Sequence, residues 1–202
     1  MAYTDFTLED VQTDFDLKLL FANLFETIKS IPIPETLRDR LSDIKFVPFR
    51  SEKSRSELIV MPILLAIIRL NNYRHTLFSG ERLEGDASQK LTGECDFLLV
   101  NAPTSPTLSN PVFCVVEAKK QDLDVGMGQC AAQLLGVQHF NQRHGKTLDV
   151  IYGCVTTGET WQFMRLEGKK LLIDQRRYFL NELETILGIL QFIIDQFPPI
   201  ED

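Results

Sequence analysis

The chain lacks a hydrophobic run long enough to cross a bilayer. Its longest, Leu58 to Ile68, is eleven residues and contains Pro62, against the roughly 20 that a spanning helix needs. The opening stretch MAYTDFTLEDVQTDFD is acidic and has no basic start followed by an apolar stretch, the mark of a secretory signal. A cytoplasmic protein with no membrane partner is therefore expected. The four cysteines, Cys95, Cys114, Cys130 and Cys154, include no CxxC pair and no nearby CxxH, which removes the usual zinc spacings. Each sits among apolar or small neighbours, so buried free thiols are expected, as suits a reducing compartment. Histidine is scarce as well: His75, His139 and His144 are isolated and assemble no Ser/His/Asp or Cys/His arrangement.

Positive charge is also in short supply, and a net charge of −7 argues against nucleic acid until its distribution is considered. Residues 1–26 carry −5 and residues 181–202 another −5, which leaves +3 on residues 27–180. The stretch 165–177 holds Arg165, Lys169, Lys170, Arg176 and Arg177 against Glu167 and Asp174. That permits phosphate binding and equally describes a solvated charged hairpin. With 202 residues, 44% of them hydrophobic, the chain can bury one sizeable core. No repeat or linker divides it, so a single domain over 1–202 is expected.

Apolar residues at Val11, Phe15, Leu19, Leu20 and Leu24 recur at helical spacing and predict an amphipathic helix over about 8–25. Two prolines break SIPIPETLRDRL, with Pro34 or Glu35 opening a short helix, and IKFVPFR reads as an extended connector. SEKSRSELIVMPILLAIIRLNN predicts a helix over about 55–71, capped by Ser54 and bent at Pro62. YRHTLFSGERL, GECDFLLVN and NPVFCVVEAK are short runs of β-formers and read as three strands. The proline-bearing APTSPTLSNP is the surface turn between the second and third. GMGQCAAQLLGVQHFNQRHG reads as a helix closed by Gly145. LDVIYGCVTTG, TWQFMRLEG and KLLIDQRRYFL follow as strands, with Trp161 expected in the core. NELETILGILQFIIDQF is a final helix opened by Asn181 and stopped by Pro198 and Pro199. This order favours a sheet covered by helices, an α/β sandwich.

At the end of the third strand, VVEAKK places Glu117 and Lys119 two residues apart and so on one face. If the second and third strands pair antiparallel through the proline-rich turn, Asp96 at the start of one comes near Glu117 at the end of the other. Two carboxylates brought together repel, and they need raised pKa values or a shared cation. Oxygen donors suit magnesium, which binds through one or two carboxylates plus substrate phosphate. A neighbouring lysine can orient or help deprotonate an attacking water, or offset charge developing on phosphate.

This D, E-x-K set, in its order of helix, three strands, helix and strand, resembles the PD-(D/E)xK nuclease superfamily over residues 54–160. SELIVMPILLAI is similar to the corresponding helix in the N-terminal nuclease domains of type I restriction subunits. The resemblance implies a restriction-endonuclease-like three-layer α/β/α sandwich with a central mixed sheet. A helical extension over 1–53 would precede the core over 54–160, and strands plus a helix over 161–202 would follow it. It implies hydrolysis of phosphodiester bonds in nucleic acid, DNA before RNA, with magnesium as cofactor and manganese as its substitute. By this resemblance Asp96, Glu117 and the backbone carbonyl of Ala118 hold the metal, and Lys119 is the catalytic lysine. Glu57 on the first core helix completes the site, and Gln133, four residues from Gln129 on one helical face, positions the backbone. Specificity would come from a homodimer or a protein partner.

The chain departs from the pattern at Cys95, where the motif has proline, and lacks the tyrosine that often follows the glutamine. Each residue also has a plainer reading. Ser54 and Glu57 have the spacing of a capping box, and Asp96 can serve as a turn residue. Glu117 and Lys119 can form a surface ion pair worth under about 1 kcal/mol, and the two glutamines can lie on the outer face of their helix. The rival functional class is a catalytically inactive module of this fold that binds nucleic acid or protein. A third is an interaction protein docking through its acidic first helix.

Overall fold

Alternating apolar stretches become strands and three-to-four-spaced stretches become helices over most of the chain, in a computed structural model that describes residues 2–48, 50–104 and 106–198. The helices are α1 (Leu8–Phe15), α2 (Glu35–Ser42), α3 (Glu52–Arg55), α4 (Met61–Leu70), α5 (Leu123–Arg143) and α6 (Leu183–Asp195). The strands are β1 (Lys18–Ala22), β2 (Thr76–Asp86), β3 (Leu91–Val100), β4 (Val112–Ala118), β5 (Ile151–Thr156), β6 (Thr160–Glu167) and β7 (Lys170–Phe179). They form one seven-stranded mixed sheet in the order β1-β7-β6-β5-β4-β3-β2. The β1–β7 and β4–β5 contacts are parallel and the rest antiparallel.

Helices cover both faces, giving an α/β sandwich. On one face α1 and α5 pack over a core that includes Leu98, Val100, Val115, Leu134 and Val155. On the other, α2, α4 and α6 enclose Ile63, Ile67, Phe97, Phe113, Phe163 and Ile189. Trp161 lies in this second core, fully buried, its indole N–H donating to the Gly158 carbonyl at 3.0 Å. β4 and β5 are buried along their whole length, and this is why they read as unbroken apolar runs without polar alternation. All four cysteines are buried and unpaired. No helix among the described residues is long and apolar enough to cross a membrane.

Five local features differ from the sequence reading. The first helix stops at Phe15, where Asp16 takes a left-handed conformation (φ 53°), and residues 18–22 leave it to become the edge strand β1. Leu19 and Leu20 satisfy a helical period, but pairing with Leu171 and Leu172 across the sheet decides otherwise. The connector after α2 begins with a 3₁₀ turn, Asp43–Phe46. The helix ahead of the strands starts earlier, with Ser51 rather than Ser54 accepting from the third amide. It then passes through a π-helical turn, Ser56–Val60, which receives Pro62 at the second position of α4. Helix α5 begins three residues before Gly126, because the Asp122 side chain accepts from the amides of Asp124 and Val125. Asn181 lies in a 3₁₀ turn ahead of α6. Pro199, expected to help stop α6, lies outside the described residues.

Residues 2–16 are built into the first core. The Tyr3 ring fills a slot against Gly93 and Gly136, and its hydroxyl donates to the Leu91 and Leu83 carbonyls at 2.9 and 3.2 Å. A Cβ added at Gly136 would sit 2.0 Å from that hydroxyl. The apolar side of α1 is likewise used within the fold, with Val11 buried and Phe6 and Phe15 in contact at 5.8 Å between ring centroids.

Candidate functional site

Register brings the two carboxylates together. The expected antiparallel pairing forms, with Phe97 opposite Val116, Leu98 opposite Val115 and Leu99 opposite Cys114. Asp96 is in the middle of β3, at the point where β3 leaves β4, rather than at the start of a strand. Continued ladder pairing would join Cys95 to Ala118, yet Cys95 pairs with Glu81 of β2 alone. The Asp96 carboxylate takes the vacated partner instead: its Oδ2 accepts from the Ala118 N–H at 2.7 Å. N–H and C=O of a strand residue point to the same edge, so the Ala118 carbonyl is directed toward Asp96 as well.

Glu117 projects from the same strand end toward α5 and is 2% exposed. One of its oxygens accepts from Lys119 Nζ at 2.7 Å and the other from Gln133 Nε2 at 2.7 Å. Lys119 stands at the turn after β4, held by its own N–H, which donates to the Thr156 carbonyl of β5 at 2.7 Å. Gln133 is fully buried, and its Oε1 has no hydrogen-bond partner. Gln129, one turn earlier on α5, is also buried.

The electrostatics of this group are unbalanced. Burial pushes the Glu117 carboxyl up to about 7, and the Asp96 charge adds to the rise against the opposing pull of Lys119 and Gln133. Asp96 is raised too, chiefly by burial, although the Ala118 N–H and Lys119 favour its charged form. Burial alone would lower Lys119, but the Glu117 carboxylate and its hydrogen bond, then Glu52 and Asp96, hold it above the ordinary lysine value. One ammonium thus serves several acids, so the pocket carries more negative charge than its own cation neutralises.

Glu57 is not part of this group. It is exposed on the π-helical turn and faces Lys53 at 3.8 Å. The acid that approaches is Glu52, at the first turn of α3, 4.0 Å from Lys119 Nζ. The sequence signal for Glu52 was its place right after a serine N-cap, one turn before the position expected from the pattern. The Ser54–Glu57 capping box does not form either, since Ser51 and Ser54 cap each other. Asp96, Glu117, Ala118, Lys119 and Gln133 are therefore brought together, and Glu57 is not.

Beside the pocket, a groove of about 760 Å³ is lined in part by Arg55, Lys120, Asp122, Glu159 and Arg177. Its arginines are paired: Arg55 with Glu159 at 2.6 Å and Arg177 with Asp124 at 3.2 Å. The basic stretch 165–177 is split between the two ends of the β6–β7 hairpin. Lys169 binds Asp16 at the far end, Arg165 binds Glu167, and of that stretch Arg177 lines this groove.

The donor set fits a hard divalent cation. Its members are carboxylate and carbonyl oxygens, and the surplus negative charge is what such an ion relieves. Among the described residues no three His, Cys, Asp or Glu side chains converge as a metal cluster. An ion here would therefore use Asp96 and Glu117, the Ala118 carbonyl and water or substrate oxygens, in the manner of magnesium. Compared with known proteins, the sequence matches no family model and no curated relative.

Proposed function

We propose that this protein is a magnesium-dependent nuclease of restriction-endonuclease-like fold that hydrolyses phosphodiester bonds, with DNA as the preferred nucleic acid. The observation that carries the reading is the junction of β3 and β4. There a strand divergence, and not a chance surface contact, sets Asp96 against Ala118 beside a buried Glu117 bonded to Lys119. Resemblance to the PD-(D/E)xK superfamily supports the same assignment from the motif alone.

Asp96, Glu117 and the Ala118 carbonyl are the groups that would hold magnesium, or manganese in its place. The ion would supply Lewis-acid stabilisation of phosphoryl oxygens and acidity for the attacking water. Lys119 is an ammonium at neutral pH, since its pKa is raised. Its part is to donate a hydrogen bond that orients the attacking water and to offset charge on the phosphoryl oxygens. Gln133 positions Glu117: its Nε2 fixes one carboxylate oxygen and leaves the other to Lys119. Glu52 takes the place expected for Glu57, holding Lys119 from the side of α3. In the reaction, water oxygen bonds to phosphorus as the water gives up a proton to solvent, the ester bond to the leaving sugar oxygen breaks, and that oxygen takes up a proton from solvent.

Calorimetric titration of magnesium and manganese into wild type, Asp96→Ala and Glu117→Ala, with plasmid and single-strand cleavage on the same samples, tests this. Metal binding lost in both variants, with cleavage lost in Lys119→Ala, supports the nuclease. Wild type that binds no metal even with nucleic acid present overturns it. Nucleic-acid binding that improves in Asp96→Ala, without cleavage by wild type, assigns a non-cleaving module instead.

A further inference from the structure

The groove beside the carboxylate pocket is poorly equipped to hold a duplex. Its cations Arg55, Lys120 and Arg177 are matched in number by Asp122, Asp124 and Glu159 in the same lining, and both arginines are tied to two of those acids. Lys120 is the one cation of the three without an ion-pair partner among the described residues. A protein that holds a duplex through about six to ten phosphates needs as many available cations, and this lining does not supply them.

What the groove does offer is a flat apolar surface. Phe179, the last residue of β7, lies in its lining and is 49% exposed. The ring is level with the carboxylate pocket. Ala118 pairs with Thr156, Thr156 with Trp161 and Trp161 with Tyr178, so these four residues form one row across the sheet. Ala118 and Tyr178 both face the second core, and the residue after each, Lys119 and Phe179, therefore turns to the opposite face. Three strand spacings of about 4.8 Å put the two about 14 Å apart, the length of about four nucleotides at the stacked rise of about 3.4 Å. The strand end that carries the ring is held in place: Phe179 N–H donates to Glu182 Oε2 at 3.2 Å and Leu180 N–H to the Glu159 carbonyl at 2.8 Å.

A phenyl ring stacks on any base, but it reaches the face of a base only where that base is splayed out of a helix. Resting on the nuclease reading of the pocket, we propose that the groove takes single-stranded DNA, with one base stacked on Phe179 and the backbone passing Lys120 toward Asp96 and Glu117. The strand that the pocket cuts is then an unpaired one, and stacking supplies the affinity that the balanced charges of the groove do not.

Fluorescence anisotropy of a labelled DNA strand of about 12 nucleotides, within the site sizes of such grooves, and of its duplex tests this, in chelator and again with calcium. Wild type is expected to bind the single strand at least about fivefold more tightly than the duplex. Phe179→Ala and Phe179→Leu are each expected to weaken single-strand binding about fivefold or more, and Phe179→Trp to restore it. The Leu variant keeps an apolar side chain and loses only the flat ring. The slope of log affinity against log salt is expected between about −0.7 and −2, as for one to three phosphates of a single strand. Removing the bases of the strand one at a time gives a reading on wild type itself: one position is expected to lose affinity, and that loss to vanish in Phe179→Ala. No single-strand binding in either condition, a duplex bound as tightly, a salt slope for six or more phosphates, or Phe179→Ala and Phe179→Leu both equal to wild type would each overturn the assignment. Cleavage after magnesium is added reads on the pocket alone: a strand bound through Phe179 and left intact removes the nuclease and keeps the stacking site.

Discussion

Two acids are buried in this sheet, and their surroundings differ in kind. Asp174 of β7 is 3% exposed. Its Oδ1 accepts from the Arg176 N–H at 3.2 Å and its Oδ2 from the Tyr178 hydroxyl at 3.1 Å. The Arg176 guanidinium lies 4.7 Å from the Tyr178 ring centroid, and the Asp174 carbonyl accepts from Gln162 at 2.8 Å. Each polar atom has a donor of ordinary kind, and the group ties β6 to β7. Glu117 is as deeply buried and also has a donor for each oxygen, but a second carboxylate stands beside it and pushes its pKa upward together with burial. Burial of an acid therefore does not by itself mark chemistry. What sets Glu117 apart is a like charge beside it that adds to the effect of burial, an arrangement from which folding alone gains nothing.

The sharpest way to break this comparison is to remove the cation. Lys119→Ala is expected to lower cleavage by about 10² to 10⁴-fold, measured under single-turnover conditions, while Asp174→Asn leaves activity per folded molecule within about twofold. The converse holds for stability. Asp174→Ala orphans the Tyr178 hydroxyl and the Arg176 N–H, and urea denaturation is expected to show a loss of about 2–3 kcal/mol. Equal stability of Asp174→Ala and wild type would place the two acids in one class.

A third, smaller effect concerns pH. The folded chain holds the Glu117 proton more tightly than the unfolded chain, with a pKa of about 7 against 4.5. Protein kept in chelator is therefore expected to lose stability as pH rises from about 4.5 to 7 and to level off above that. Glu117→Gln should flatten this slope, raising stability at pH 8 on the order of 1 kcal/mol. A steeper slope in the variant would reverse the sign of the argument. The smallest effect separates the two helix glutamates: Glu52→Gln is expected to reduce cleavage several-fold through Lys119, and Glu57→Gln to change it by less than about twofold, since an exposed i,i+4 pair contributes little.

Much of this was legible in the chain because the informative signals were local. The apolar strands β4 and β5, the helix from Gly126 onward and the four free thiols all follow from runs of side chains that need no distant partner to be understood. The E-x-K spacing gave Glu117 and Lys119 one face for the same reason. Glu57 carried two rival readings, a capping box with Ser54 and a place in the pattern, and neither forms, because Ser51 and Ser54 cap each other and Glu57 faces Lys53. The π-helical turn, which changes the residues per turn just before Pro62, carries the chain past that position. The sequence of β1 predicts helix because Leu19 and Leu20 fit a helical period, whereas the partners that make it a strand, Leu171 and Leu172, lie about 150 residues away in β7.

The sequence by itself determined the alternation of apolar segments that makes a sheet covered on both faces, and the chemistry of the groups at the end of β4. Side-chain period and hydrogen-bonding capacity are properties of neighbouring residues. Tertiary structure alone decided that β3 leaves β4 at Asp96, next to the last ladder pair of Phe97 with Val116, that Gln133 and not Gln129 reaches Glu117, that Glu52 and not Glu57 approaches Lys119, and that β1 closes one side of the sheet with no strand beyond it among the described residues. Each of these depends on register between strands or on rotation of one helix against another, quantities set by the packing of the whole core and shifted a full face by a single residue.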